Sequence, residues 1–146
     1  MTAGVLDDIR DVLIIDERLA TSGQPTGEQF ARIAQAGFQK VINLATVDSP
    51  GALPNEAEIV QGLGMNYRHI PVVWTQPTDE DLAEFFSEIN ASRGERLFVH
   101  CALNMRVSVF VFLYHVMVLG EAKAVAWERV LEIWQPDETW QAFIDR

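Results

Sequence analysis

The chain has 146 residues, 49% of them hydrophobic and 22% charged, with a formal net charge of −10. That composition suits one compact domain over residues 1–146 with a core of its own, and it excludes wholesale disorder. The acidic balance, with no Lys/Arg-rich tract, argues against nucleic acid and membrane surfaces as partners, and a single cysteine excludes an internal disulfide or a multi-cysteine metal site.

The start, "MTAGVLDDIRDV", carries acidic residues and no basic n-region. It does not read as a signal peptide, and a cytoplasmic location is expected. Val12–Ile15 reads as a strand and Leu19–Thr21 as a second, before "SGQP" turns the chain. In "TGEQFARIAQAGF", Phe30, Ile33, Ala34 and Phe38 recur at helical spacing. Thr26 and Gln29 predict a capping box, and Gly37 the end of that helix. "KVINLA" is a short β-rich run and "TVDSPGALP" a loop. "NEAEIVQGLGM" predicts a helix with Asn55 and Glu58 as its capping pair, and "NYRHIPVV" a strand ended by Pro71.

The stretch "TDEDLAEFFSEINASRG" is a well-marked helix. Thr78 is its N-cap, acids fill the first turn, and Leu82, Phe85, Phe86 and Ile89 share one face. "RLFVH" reads as a strand. "RVSVFVFLYHVMVLG" is apolar all round, which predicts a buried central helix despite its β-branched residues. Its apolar run, Val107–Leu119, is too short to cross a bilayer. In "EAKAVAWERVLEIW", Ala122, Val125, Ala126, Val130 and Ile133 form one helical stripe, and "PDETWQAFIDR" adds a last short helix. Trp127, Trp134 and Trp140 fit helical stripes as core residues. The alternation of strands and helices predicts an α/β fold: a mainly parallel sheet of four to five strands with helices on both faces. Ligands of such folds bind beyond the carboxyl ends of the strands.

One stretch at such a strand end carries candidate chemistry: "VHCALNMRVS", residues 99–108. It holds Cys101, preceded by His100 and followed by Arg106 and Ser108. A strand that ends, turns and opens a helix can aim the amides of Ala102, Leu103, Asn104, Met105 and Arg106 at an anion, helped by the helix dipole. The same field favours a thiolate over a thiol, and the thiolate is the nucleophilic form. Arg106 can grip phosphoryl or sulfuryl oxygens with two parallel hydrogen bonds. Ser108 can donate to the sulfur, and His100 can brace the loop. The opposite reading is a cysteine buried ahead of an apolar helix, a common core arrangement. Trp74, in the loop "VVWTQPT", either stacks on an aromatic substrate or packs on the sheet edge. His69 and His115 lack ligand spacing with Cys101, so neither metal nor cofactor is expected.

"VHCALNMRVS" resembles the signature loop of the cysteine-dependent tyrosine and dual-specificity phosphatase superfamily. With "TSGQPTGEQFARIAQAGFQKVINLA", "GMNYRHIPV", "PTDEDLAEFF" and "RLFVHC", the chain is similar to a bacterial group of phosphatase-like proteins. These are related to a domain attached to some beta-lactamase-like hydrolases, and the likeness runs from about Gly23 to Trp140. It implies the cysteine phosphatase fold and phosphomonoester hydrolysis on a phosphorylated small molecule or phosphoprotein. It further implies Cys101 as nucleophile, Arg106 as phosphate clamp, Ser108 as the hydroxyl after the clamp, and His100 as loop brace.

Three departures stand out. The superfamily places five residues between cysteine and arginine, and here there are four. One residue along a helix is about 100° and about 1.5 Å, so Arg106 is expected to approach an anion from a changed direction or to miss it. The loop contains no glycine, and Asn104 is its best candidate for left-handed backbone. No carboxylate lies in "VVWTQPT", where the superfamily keeps its general acid, which leaves Asp79 and Asp48 as candidates. A four-residue gap also suits rhodanese-type sulfurtransferases, whose cysteine carries a persulfide. A third reading is a pseudophosphatase that binds phosphate or phosphoprotein without turnover.

Overall fold

The computed structural model describes residues 6–146; the first five residues of the segment read against a leader lie outside the described part. In chain order the elements are β1 (Leu13–Ile14), β2 (Leu19–Ser22), α1 (Gly27–Gln35), β3 (Lys40–Asn43), α2 (Glu56–Gly62), β4 (Asn66–His69), α3 (Asp79–Ala91), β5 (Leu97–His100), α4 (Met105–Met117), α5 (Lys123–Ile133) and α6 (Glu138–Ile144). The strands form one sheet in the order β1-β2-β5-β3-β4. β1 runs antiparallel to β2, and every other pair is parallel. This is the mixed α/β fold that the alternation predicts.

Side chains alternate across a strand, and the parallel strands show it residue by residue. Ala20, Val41 and Phe98 face one side, where they pack with Phe30 and Ile33 of α1 and Val60 of α2. Leu19, Ile42, Leu97 and Val99 face the other, against α3, α4, α5 and α6. Both faces are therefore covered, as a parallel sheet requires. α4 is the central helix: from Arg106 to His115 only Ser108 escapes full burial. Burial on all sides outweighs the weak helix propensity of its valines.

Several local signals act as the sequence suggests. Thr26 and Gln29 make a reciprocal capping box on α1, and Gly37 follows its end at φ +96°. Thr78 caps α3 by accepting from the Asp81 amide. Two differ. Asn55 stands at the N-cap of α2 at φ −115° and ψ 30° and makes no side-chain capping bond, while the next residue, Glu56, is buried. On α5, Ala126 and Val130 are buried, whereas Val125 is 51% exposed. Ala126 and Val130, four apart, share one line on the helix, and Val125 lies about 100° round from it. Among the described residues no helix is long and apolar enough to cross a membrane.

Candidate active site

Strand alternation sets the site. His100 ends β5 facing α1 and α2, with its ring edge-on to Phe30. Cys101 points the other way and joins the core around α4. The loop between β5 and α4 is short and pinned from behind. The Cys101 amide donates to the Ser22 carbonyl at 3.3 Å, and the Gln24 amide donates to the Ala102 carbonyl at 2.9 Å. Asn104 stands at φ +67°, the left-handed conformation that Asn adopts more readily than other non-glycine residues. Its Nδ2 donates to the Asp11 carbonyl at 2.9 Å and to the Thr21 hydroxyl at 3.1 Å. Asn104 thus supplies the turn for which this loop has no glycine. Met105, Arg106 and Val107 follow in the first turn of α4, where amides have no intrahelical acceptor.

A cavity of about 470 Å³ opens over this loop. Cys101, Ala102, Leu103, Met105 and Arg106 form its floor, and Thr46, Asp48, Ser49 and Pro50 one wall. Val73, Trp74 and Thr75 form the other. Arg106 and Cys101 thus border the same cavity despite the shortened spacing. The Arg106 guanidinium is buried; Nη1 donates to the Val72 carbonyl at 2.8 Å and Nη2 to the Ser49 hydroxyl at 3.2 Å. Among the described residues no carboxylate oxygen lies within 4.0 Å of it. A buried cation with only neutral acceptors is a strong attractor for an anion.

Trp74 borders the cavity and packs in a cluster of tryptophans. Its ring lines the cavity, packs at 5.3 Å from Trp134 and 5.6 Å from Trp140, and lies 5.9 Å from the Arg106 guanidinium. Its carbonyl accepts from Trp140 Nε1 at 2.9 Å, so the wall is fixed. Of the three tryptophans read as core, Trp140 is fully buried and Trp127 and Trp134 are partly so.

The remaining candidates separate. Asp48 lines the cavity, and Thr46 Oγ1 donates to it at 2.6 Å. That bond, with Arg106 at longer range, holds its carboxyl below the ordinary value. Asp79 is exposed at the start of α3, away from the cavity lining, and pairs with Arg146 at 3.1 Å. Ser108 turns from the sulfur: its hydroxyl donates to the Met105 carbonyl at 2.6 Å and accepts from Trp134 Nε1 at 3.0 Å. His100 lies behind the loop, fully buried, with Nδ1 at 3.1 Å from the Cys101 carbonyl. Asn104 shapes the loop without lining the cavity.

Sequence reasoning missed Glu56, Ser49 and Val72. Glu56 is buried beneath the loop, with Oε2 at 2.7 Å from His100 Nε2 and Oε1 accepting from Gln24 Nε2 at 2.8 Å. Burial raises its carboxyl, but His100, Gln24 and Tyr67 outweigh burial and leave it below the ordinary glutamate value. Burial is also the main cause that pushes the Tyr67 phenol well above its usual range. The only sequence signal was the position of Gln24 and Pro25 on a loop able to approach the site.

Residues 11–135 match the family described as DSP-PTPase phosphatase fused to NAD+ kinase. A beta-lactamase hydrolase-like protein of Xylella fastidiosa is 33% identical over 109 residues, 73% of this chain and 25% of its own length. The chain thus spans about a quarter of the curated relatives it matches. A DUF442 phosphatase-like protein from Shewanella putrefaciens superposes with a TM-score of 0.87 at 33% identity, over 97% of this chain and 93% of its own. TpbA of P. aeruginosa, in complex with pTyr, shares the fold at a TM-score of 0.74 and 16% identity, over 92% of this chain and 82% of its own.

Proposed function

The chain belongs to the DSP-PTPase phosphatase family, and from that premise we propose that it hydrolyses phosphomonoesters through Cys101, with aryl phosphates as the favoured class. One observation supports the reading: Cys101, buried at 1% exposure, and a buried guanidinium with no carboxylate partner among the described residues border the same cavity. In the proposed reaction Arg106 and the first amides of α4 hold the phosphoryl oxygens. The Cys101 thiolate attacks phosphorus, an S–P bond forms, and the P–O bond to the leaving group breaks. The departing oxygen takes a proton, from Asp48 when that group is protonated. Water then attacks phosphorus, the S–P bond breaks with its electron pair returning to sulfur, and Asp48 accepts the water proton.

The apolar lining of Trp74, Val73 and Leu103 favours a flat apolar leaving group. The Asp48 carboxyl, held below its ordinary value by the Thr46 hydroxyl, points the same way, since it enters mostly as carboxylate. An aryl oxygen, being the weaker base, leaves with less help from an acid than an alkyl oxygen does. That a fold relative holds pTyr agrees with this class.

The test is turnover of p-nitrophenyl phosphate by the wild type, Cys101→Ser and Arg106→Lys. Hydrolysis lost completely in Cys101→Ser, with the wild type trapping a ³²P label on sulfur, supports the reading. Arg106→Lys removes the two-pronged grip and lowers kcat/KM by about 10²-fold. Phosphate or vanadate binding without any turnover would make the protein a binder. Transfer of sulfur from thiosulfate to cyanide would make it a sulfurtransferase.

A further inference from the structure

Glu56 is unusual for its place in the chain. A carboxylate in the first turn of a helix ordinarily faces solvent and answers the helix dipole. Glu56 is instead 4% exposed and meets donors from two other elements, with a third group close by. Gln24 reaches it from the β2–α1 loop and His100 from the end of β5, and the nearby Tyr67 hydroxyl of β4 also helps to hold its carboxyl below the ordinary value. Asn43 Nδ2 donates to the Tyr67 oxygen at 3.1 Å. Gln24 has a second role. Its own amide holds the Ala102 carbonyl, so one residue grips both the carboxylate and the loop.

The His100 ring sits between two acceptors. Nε2 faces the Glu56 carboxylate at 2.7 Å, and Nδ1 faces the Cys101 carbonyl at 3.1 Å. With Glu56 ionised, as its lowered carboxyl favours, neither oxygen can donate. A neutral imidazole has one N–H and one bare lone pair, so it satisfies only one of the two. A ring with two N–H groups satisfies both, and it is positively charged. The ring is fully buried, so exposed water offers no other solution. The titratable groups around it are Glu56 from α2, Tyr67 from β4 through Glu56, and Cys101 from its own strand; α1 contributes the apolar Phe30.

We propose that Glu56, keyed by Gln24, is a positioning residue of the anion loop: it holds His100 doubly protonated, which pins the Cys101 carbonyl and keeps a positive charge directly behind the sulfur. The catalytic consequence rests on the phosphatase reading, but the state of the ring does not. Histidine labelled with ¹⁵N reports that state by NMR at pH 7.5, where a free imidazole is mostly neutral. The expected result is two protonated ring nitrogens for His100 in the wild type and one in Glu56→Gln. Alkylation of Cys101 by iodoacetamide at pH 7 should slow about tenfold in Glu56→Gln and recover partly in Glu56→Asp. If Glu56→Gln fails to fold, Gln24→Ala replaces it, with a smaller effect of the same sign. A bare nitrogen on wild-type His100, or unchanged alkylation in a folded variant, overturns the proposal. Two ring N–H groups in a protein without phosphatase turnover would sink the phosphatase reading and leave this one standing.

Discussion

His100 Nε2 and Glu56 Oε2 lie 2.7 Å apart although 44 positions separate the two residues. β5 alternates Leu97, Phe98, Val99 and His100 across the sheet, so the residue before Cys101 must face the α1–α2 side. α2 brings Glu56 up beneath the same strand end. The strand end thereby sends the Cys101 side chain to the α4 side of the sheet and the imidazole toward a carboxylate. The loop is held from the face opposite its ligand.

That pair makes stability depend on acid. The Glu56 carboxyl lies below its ordinary value of 4.5 in the folded chain. A group lowered in this way stabilises the fold above the unfolded value, and the contribution is lost as pH falls through the folded one. Glu56→Gln should cost about 1.5–3 kcal/mol at pH 7, a charged hydrogen bond's worth. For a chain of this size that is a Tm lower by several degrees, roughly 3–12 °C. Thermal unfolding followed by circular dichroism should show the gap narrowing below about pH 4.5. A gap that stays constant down to pH 3 would mean the carboxylate charge is not what stabilises.

The scaffold was legible in the sequence because its signals are local and periodic. The Thr26 and Gln29 box, the Thr78 cap and the two-residue alternation of β3 and β5 each follow from neighbours in the chain. Asn104 was legible for a similar reason: a loop without glycine needs a residue that tolerates positive φ. Arg106 was harder. The one-residue deletion suggested a misdirected fork, and only the packing of Val72 and Ser49 around the guanidinium brings it to the cavity. Glu56 was invisible, since nothing near it in the chain distinguishes a buried acid from a helix-start acid. Asp79 and Asp48 looked equivalent in sequence, and the loop after β3 rather than the start of α3 borders the cavity.

Gly23 is where the loop can be moved without touching it. A Cβ at this position would lie 2.5 Å from the Ala102 carbonyl oxygen and 3.0 Å from Arg10 Cγ. The arginine stem can swing aside, but the carbonyl is backbone and can yield only by shifting the anion loop. Gly23→Ala should therefore weaken phosphate or vanadate binding by tenfold or more, read by titration calorimetry. Unchanged affinity would show that the amides do not form the binding surface.

Asn104 separates backbone strain from hydrogen bonding. Asn104→Gly keeps the left-handed turn and loses the bonds to Asp11 and Thr21, while it also removes a buried Oδ1 that has no partner among the described residues. The cost should be about 1 kcal/mol. Asn104→Val loses the same bonds and forces a β-branched residue to φ +67°, which adds about 1–3 kcal/mol. Denaturant midpoints should rank wild type, Gly, Val in falling order. Equal midpoints for Gly and Val would remove the conformational argument.

Asp48 has a role that depends on the leaving group. Thr46 and Arg106 favour its charged form, so it is better prepared to accept a proton from water than to donate one to a departing oxygen. With p-nitrophenyl phosphate the leaving oxygen is a weak base, and Asp48→Asn should lower kcat less than about tenfold. Phenyl phosphate leaves as a stronger base, and there the loss should reach about 10²-fold. For the wild type, acidification should raise phenyl phosphate turnover relative to p-nitrophenyl phosphate, because more Asp48 then carries the proton that the poorer leaving group needs. Equal losses on both substrates, or none on either, would remove Asp48 from proton transfer and leave it as the residue that shapes the β3–α2 wall.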